Sequence, residues 1–206
     1  MVARKANTST RKKAPAKAKA QAVEAKLIAA MFALSASDQW MSLTLETIAR
    51  KARVKSQDIP QRLRDRVDVV ALWAEGIGHR IAGADTDKSI PLHDRLFEGV
   101  MAVLEAASDV RAGLGGIAAA VMQNPLAGIE LVGAAAHLGR AAARHAGLDV
   151  SGIGGQASAV ALGLLIARLL PVYAADEPGL GRTMALTDQN LSAALGLLNL
   201  VPRVFG

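Results

Sequence analysis

Polar and basic side chains cluster between positions 44 and 66, and their types suit contact with phosphates and with the edges of bases. The set consists of the cations Lys55, Arg62, Arg64 and Arg66 and of the hydroxyl and amide residues Thr44, Ser56, Gln57 and Gln61. Cations neutralise phosphate charge, and hydroxyl and amide groups hydrogen-bond to phosphate oxygens and base edges. These residues therefore predict binding of double-stranded DNA.

Two short helices must position this set. Residues 43–52 read as one helix, a tight turn follows, and residues 56–63 read as a second helix. Two short helices at a steep angle form a helix-turn-helix, which places its second helix in the major groove. We therefore expect a three-helix DNA-binding domain at residues 23–66, with 56–63 as its recognition helix.

The remainder of the chain also predicts helices. No alternation of period two appears, and proline and glycine separate the segments with helical spacing. The fold class is therefore all-α, with a helical bundle at 67–206 after the helix-turn-helix domain. The predicted helices are 21–36, 43–52, 56–63, 66–82, 91–107, 110–123, 125–146, 153–175 and 179–199.

Basic charge is concentrated in the first third of the chain. Residues 1–26 hold eight Lys/Arg and one acid, residues 40–66 hold seven and three, and residues 67–206 hold nine and thirteen. This polarity suits a polyanion at one end of the molecule. Because few large apolar side chains precede Val23, residues 1–22 predict a disordered basic tail, which either contacts phosphates or only solubilises the chain.

Signatures of enzymes, cofactors and metals were sought and not found in the sequence. The lack of cysteine removes thiolate catalysis and cysteine zinc sites and agrees with a reducing, cytoplasmic location. Gly113, Gly115 and Gly116 follow no strand, so they predict a closely packed or flexible helix rather than a nucleotide loop. His137 and His145 can share a helix face but have no third ligand at suitable spacing. We expect no enzyme, cofactor or metal site.

The carboxyl-terminal part combines many Ala and Gly residues with few aromatic ones. Such a core leaves voids more easily than a mixed core, although a bias toward Ala and Gly codons explains the composition equally well. Large side chains on predicted interior faces are candidates both for plain core and for contact with a small apolar ligand. They are Trp73, Met101, Met122, Leu131, Leu165 and Tyr173.

A membrane-spanning segment was weighed at residues 157–175, which are long and apolar. Arg168 and Pro171 interrupt this segment, and small residues supply much of its apolar character. We therefore expect a buried helix and no stable membrane insertion.

The amino-terminal positions carry a family pattern. An apolar helix at 25–34 is followed by an aromatic residue, a threonine, an Ile-Ala pair, a turn and a basic residue opening the next long helix. The matching positions are Trp40, Thr44, Ile48-Ala49, Ala52-x-Val54, Ile59, Leu63 and Arg66. They resemble the tetracycline-repressor (TetR) family over about the first seventy residues. The resemblance implies a homodimeric DNA-binding regulator, a repressor, whose apolar effector changes the separation of its two recognition helices.

Three positions depart from the family pattern. Arg53 stands where the turn prefers glycine, and a non-glycine residue there costs roughly 1 kcal/mol. Pro60 replaces a tyrosine and deletes the first hydrogen bond of a helix capped at Ser56. Leu63 replaces the aromatic residue that ends the recognition helix. These departures bear on base readout and leave the phosphate-binding cations in place.

A second resemblance covers segments 146–152, 172–184 and 186–188. They are similar to the carboxyl domain of the ubiquinone-biosynthesis accessory proteins, lipid-binding relatives of the TetR fold that present isoprenoid or quinone intermediates to other enzymes. An isoprenoid-like ligand is what this resemblance implies. The alternative function is therefore a lipid-binding accessory protein with a degenerate helix-turn-helix, and a third is a protein that coats DNA through its basic tail alone.

Overall fold

Every regular element that the structure describes is a helix, as the sequence predicted. The computed structural model describes the backbone of residues 13–37, 40–82 and 86–204, and the side chains of 18–37, 40–82 and 86–194. The helices are α1 (Lys13–Ser35), α2 (Leu45–Ala52), α3 (Arg66–Arg80), α4 (Leu92–Ala106), α5 (Arg111–Gln123), α6 (Leu126–Glu130), α7 (Val132–His145), α8 (Gly152–Ala175) and α9 (Gly181–Val204). Single 3-10 turns occur at Trp40–Ser42, Ser56–Asp58 and Ser108–Val110.

Helix α1 begins at Lys13, eight residues before its predicted start at 21. Alanine and lysine fill its first turns and are good helix formers, and Pro15 lies in the first turn, where a missing N–H costs little. The segment 1–22, predicted to be a disordered tail, is therefore helical from 13 onward. Its first twelve positions lie outside the described residues.

The single helix predicted at 125–146 is two helices in the structure. Leu131 separates α6 from α7, and its N–H donates to the Gly128 carbonyl at 3.1 Å, which is the spacing of a tight 3-10 turn. Gly128 and Gly133 flank this break. Glycine lowers helix stability by about 1 kcal/mol per position, so the pair favours an interruption here.

Helix α7 forms the centre of the carboxyl-terminal part, since it packs against α8 along its length and also against α3 and α4. Two glycines allow α7 and α8 to approach closely. A Cβ at Gly139 would lie 2.0 Å from the Ala159 carbonyl oxygen, and a Cβ at Gly163 would lie 2.1 Å from that of Ala135. No side chain larger than hydrogen fits at either position without moving a helix backbone.

The glycine cluster of α5 has the same use against α1. A Cβ at Gly113 would lie 2.6 Å from the Phe32 carbonyl oxygen, and one at Gly116 would lie 1.9 Å from that of Ser35. The prediction of a closely packed helix at these glycines is confirmed. It fixes the amino-terminal helix directly on the body of the molecule.

One continuous apolar core joins the two parts that the sequence separates at residue 66. Trp40, Ile48 and Leu63 from the first part are buried in the same cluster as Trp73 and Val100 from the second. Residues 23–66 and 67–206 therefore share a core rather than each enclosing its own.

Within the described residues, α8 is the one helix long and apolar enough to cross a membrane by length and composition. Its 24 residues continue through Pro171 without a break, and 39% of its most apolar window is buried. Its buried side packs on α5 and α7.

Candidate functional site

An apolar cavity of about 380 Å³ lies between α3, α5, α6, α7 and α8. All its lining side chains except one are apolar, and that one is the exposed Arg168 of α8. The wall consists of Val70, Trp73, Leu114, Ile117, Ala118, Val121, Met122, Gly128, Leu131, Val132, Ala134, Ala135, Leu138, Leu164, Ala167, Arg168, Leu170 and Pro171. This size and character fit a small apolar molecule.

Small side chains from three helices create the void. Ala118 of α5, Ala134 and Ala135 of α7 and Ala167 of α8 face it where larger residues would fill the space. The α7 and α8 backbones cannot approach further to fill the gap, because they already touch where Gly163 meets the Ala135 carbonyl.

Trp73 lies in the wall of this cavity and also in the wall of a neighbouring groove between α1, α3 and α5. The residue is only 4% exposed, and its indole N–H has no hydrogen-bond acceptor among the residues that the structure describes. The Phe32 ring packs edge-on against it with centroids 4.9 Å apart, which fixes the orientation of the indole. A buried donor without an acceptor costs free energy, and a ligand oxygen would remove that cost.

A second apolar groove, of about 590 Å³, lies between α1, α3 and α5. It is larger, but an ion pair of Arg80 and Asp109 at 3.9 Å forms part of its lining. The charged pair makes this groove a poorer site for an apolar ligand than the first cavity, which lies between α3, α5, α6, α7 and α8 and is called the cavity beneath α6 from here on.

Three of the six predicted ligand residues line the cavity. Trp73 and Leu131 lie in its wall, and Met122 is 71% exposed at its mouth. Met101 and Leu165 instead pack against the apolar core, and Tyr173 is buried away from the cavity, so these three contact other core residues. Sequence reasoning missed the alanines and Arg168, since it selected large apolar side chains only.

Tyr173 has a structural role that explains its burial. Its hydroxyl donates to the Leu104 carbonyl at 2.8 Å, and the Arg111 guanidinium lies 4.9 Å from its ring centroid. Arg111 also donates to the Tyr173 carbonyl at 2.7 Å and to the Asp176 carbonyl. Burial raises the pKa of the Tyr173 hydroxyl above its ordinary value. These bonds tie α4 and α5 to the end of α8.

The first half of the expected helix-turn-helix is well formed. Thr44 caps α2, its hydroxyl accepting from the Thr47 N–H at 3.2 Å while the Thr47 hydroxyl accepts from the Thr44 N–H at 3.1 Å. Arg53 ends the helix in the left-handed conformation, with φ 54° and ψ 39°, which the family resemblance implied for this turn. Thr44 is therefore engaged in the cap, although it remains exposed.

The predicted recognition helix at 56–63 is wrong. Only the 3-10 turn Ser56–Asp58 forms, and extended and turn conformations follow it. Pro60 has no N–H to donate to the Ser56 carbonyl, and the residue before a proline is driven to extended backbone. Ile59 indeed has φ −69° and ψ 127°, and its own N–H donates a hydrogen bond to the Ser56 carbonyl at 3.2 Å.

Three of the four cations predicted to bind phosphate are paired within the molecule. Arg62 contacts Glu24 of α1 at 2.7 Å, Arg64 contacts Asp68 at 3.3 Å, and Arg66 contacts Glu130 of α6 at 3.2 Å. Arg66 also lies over the Trp40 ring, 5.1 Å from its centroid. Partial burial acts to raise the pKa of the Asp68 carboxyl, but hydrogen bonds from Arg64 hold it below its ordinary value.

Four other cations remain exposed beside α2. Arg50, Lys51, Arg53 and Lys55 have no ion pair within the part of the chain that the structure describes. Of these, only Lys55 belonged to the predicted DNA-binding set. Its polar members Ser56, Gln57 and Gln61 are exposed too, but they lie in turns rather than on one helix face.

Comparisons of the chain with protein-family models, with curated proteins and with solved structures found no match.

Proposed function

We propose that this chain is a TetR-like helical protein that binds a small apolar ligand, of isoprenoid or similar lipid type, in the cavity beneath α6. The observation that carries the proposal is the cavity itself, whose wall is apolar except for Arg168. Its helix-turn-helix is degenerate, because Pro60 removes the recognition helix. This combination favours the lipid-binding accessory alternative over a sequence-reading repressor.

The ligand should carry an oxygen that accepts a hydrogen bond. Trp73 offers its unpaired N–H at the inner wall, and Arg168 offers a cation near the outside. An apolar chain with a hydroxyl or carbonyl oxygen satisfies Trp73, as an isoprenoid alcohol or a quinone would. No catalytic group, metal or cofactor is part of the proposal.

We also propose that the protein is a homodimer in the cytoplasm. Gly154, Ala157, Ala161 and Leu164 form an exposed stripe of small and apolar side chains along α8. If this stripe packs against the same stripe of a second copy, both are removed from water. Such a contact is consistent with the dimer that the TetR resemblance implies.

The test is displacement of the fluorescent probe N-phenyl-1-naphthylamine by farnesol. The wild-type protein should bind the probe with one site per chain and release it to farnesol. Ala167→Phe places a large side chain in the lining of the cavity and should weaken both ligands at least tenfold.

Ala22→Phe is the matched control, because Ala22 is an exposed alanine on α1 that lines neither the cavity nor the α1–α3–α5 groove. It should bind both ligands within twofold of the wild type. Equal affinity of the Ala167→Phe and wild-type proteins would overturn the proposal.

A DNA-binding regulator is the second candidate, and the exposed cations beside α2 favour it. Arg50, Lys51, Arg53 and Lys55 can neutralise backbone phosphates without reading bases. The expected behaviour is binding to duplex DNA that weakens steeply with salt and barely depends on sequence.

Fluorescence anisotropy with genomic fragments, at several salt concentrations, tests this candidate in the full chain and in a chain lacking residues 1–22. Salt-sensitive binding retained by the shortened chain would support the cations beside α2 as the DNA-binding element, and selectivity among fragments would in addition indicate base readout by a regulator. Loss of all binding on shortening would leave only the basic tail as a DNA-binding element. Absence of binding in both forms would remove the candidate.

A further inference from the structure

A polar cleft of about 520 Å³ lies between α3 and α7 and shares no lining residue with the apolar cavity. Three of the four histidines of the chain line it, together with two arginines. The polar lining residues are Glu75 and His79 of α3 and His137, Arg140, Arg144 and His145 of α7.

The spacing on α7 explains the cluster. His137, Arg140 and Arg144 lie three and four residues apart, so they share one face of the helix, and His145 adjoins them. Gly78 of α3 lies over the same stretch, where a Cβ would be 3.6 Å from the Ala141 Cβ. The close approach of the two backbones forms the floor of the cleft.

The arginine charges in the cleft are not neutralised by neighbours. The Arg140 guanidinium donates to the Gln156 amide oxygen at 2.5 Å, a neutral acceptor on α8. Neither Arg140 nor Arg144 has an ion pair among the described side chains, and Glu75 is the one carboxylate in the lining. Two guanidinium charges therefore face one carboxylate.

Two of the donors, His145 and Arg140, are held by segments other than their own helix α7. The His145 ring lies 3.4 Å from the Ile81 carbonyl oxygen, and the Thr86 hydroxyl donates to the His145 carbonyl at 2.6 Å. Arg140 is anchored by Gln156. The carboxyl-terminal end of α7 is thus tied to the chain that follows α3, and Arg140 is already oriented before an anion arrives.

We propose that this cleft binds a phosphate-bearing small molecule. Guanidinium groups match phosphate oxygens in paired hydrogen bonds, and each imidazole can donate a further one. The cleft is large enough for a phosphate ester rather than a bare ion. The site is independent of the apolar ligand, because the two cavities have no wall residue in common.

The experiment is a titration of the full chain with inorganic pyrophosphate, followed by NMR of the imidazole C–H signals at constant pH and 150 mM NaCl. His79, His137 and His145 should shift in one saturable transition. His93 lies on α4 against Asp94, Asp188 and Ser192, outside the cleft, and should not move.

The Arg140→Gln/Arg144→Gln double variant should lose at least tenfold in pyrophosphate affinity by calorimetry. Arg182→Gln removes the same kind of charge from an exposed position on α9 and should stay within twofold of the wild type. Thermal unfolding of the double variant checks that the fold persists.

Three results would overturn the site. They are the absence of saturation in the wild type, equal affinity in the double variant, and movement of all four histidines together. Farnesol binding is unaffected by the double substitution in this account, so failure of the phosphate site is distinguishable from failure of the apolar cavity.

Discussion

The segment around Ser56 to Arg66 and the cavity beneath α6 differ in how their side chains are used. In the first, Arg62, Arg64 and Arg66 meet carboxylates from the same chain, so their charges are already paired within the molecule. In the second, the Trp73 donor meets no acceptor and small side chains leave space unfilled. Groups satisfied within the molecule stabilise it, whereas unsatisfied groups and unfilled volume are available to a ligand.

Restoring the recognition helix should have the largest local effect. Pro60→Ala removes a penalty against helix of about 3 kcal/mol and returns an N–H that can reach the Ser56 carbonyl. Residues 56–63 should then show helical Cα chemical shifts. Pro91→Ala, at the position before α4 begins, should leave the α4 shifts unchanged. Unaltered shifts at 56–63 would show that something other than Pro60 prevents the helix.

The α7–α8 contact should be the most sensitive to added volume. Gly163→Ala places a Cβ 2.1 Å from the Ala135 carbonyl oxygen, which must force the helices apart. We expect a loss of about 2–3 kcal/mol in the free energy of unfolding by urea denaturation.

Gly133→Ala on α7, the other helix of this contact, is the control, since Gly133 is exposed and a Cβ there meets no atom within 4 Å. It should keep or slightly raise stability, by up to about 1 kcal/mol. Equal effects of the two substitutions would contradict the close packing of α7 and α8.

Tyr173 and Trp73 should separate stability from ligand binding. Tyr173→Phe removes the hydroxyl that donates to the Leu104 carbonyl, at a cost of about 1 kcal/mol in unfolding free energy. Farnesol affinity should stay the same, because Tyr173 does not line the cavity. Trp73→Phe should weaken farnesol binding instead. A loss of farnesol affinity in Tyr173→Phe would show instead that Tyr173 contributes to the ligand site, as the sequence predicted.

His93 should give the smallest effect. The hydrogen bond that the His93 ring donates to the Asp94 carboxylate, with Asp188 3.3 Å away on α9, raises the pKa of His93 above its ordinary value. The stabilisation is therefore complete below about pH 6.5 and is lost as pH rises through the raised pKa. It should be under about 1 kcal/mol, as exposed pairs are.

Urea unfolding at pH 5.5 and pH 8.5 measures this contribution. His93→Gln should remove part of the difference in stability between the two pH values. An unchanged difference would mean that His93 does not link α4 to α9.

Local signals predicted more than long-range ones did. The family resemblance implied the left-handed turn at Arg53, and close packing was one of the two alternatives expected for the α5 glycines. The cap at Thr44 was not predicted, because Thr44 was expected to contact DNA, although threonine is a common residue at the start of a helix. Pro60 is a visible departure from the family pattern, but the helical spacing around it still predicted a helix at 56–63. The structure shows that this one proline is enough to prevent that helix.

Contacts between distant residues could not be predicted in this way. Arg62 and Glu24 are 38 positions apart, so nothing in the local pattern shows that this cation is neutralised. Half of the predicted ligand residues line the cavity, but most of its wall was missed for a similar reason. Large apolar residues carry a recognisable pattern, whereas an alanine that leaves a void resembles any other alanine until the helices are packed.

The indole N–H signal of Trp73 tests the central claim most directly. The chain has two tryptophans, and both indole N–H groups are buried without an acceptor among the described residues, but only Trp73 lines the cavity. On titration with farnesol, the Trp73 signal, assigned with Trp73→Phe, should move downfield to saturation while that of Trp40 stays in place. An unmoved Trp73 signal, or equal movement of both, would contradict a ligand site at this cavity.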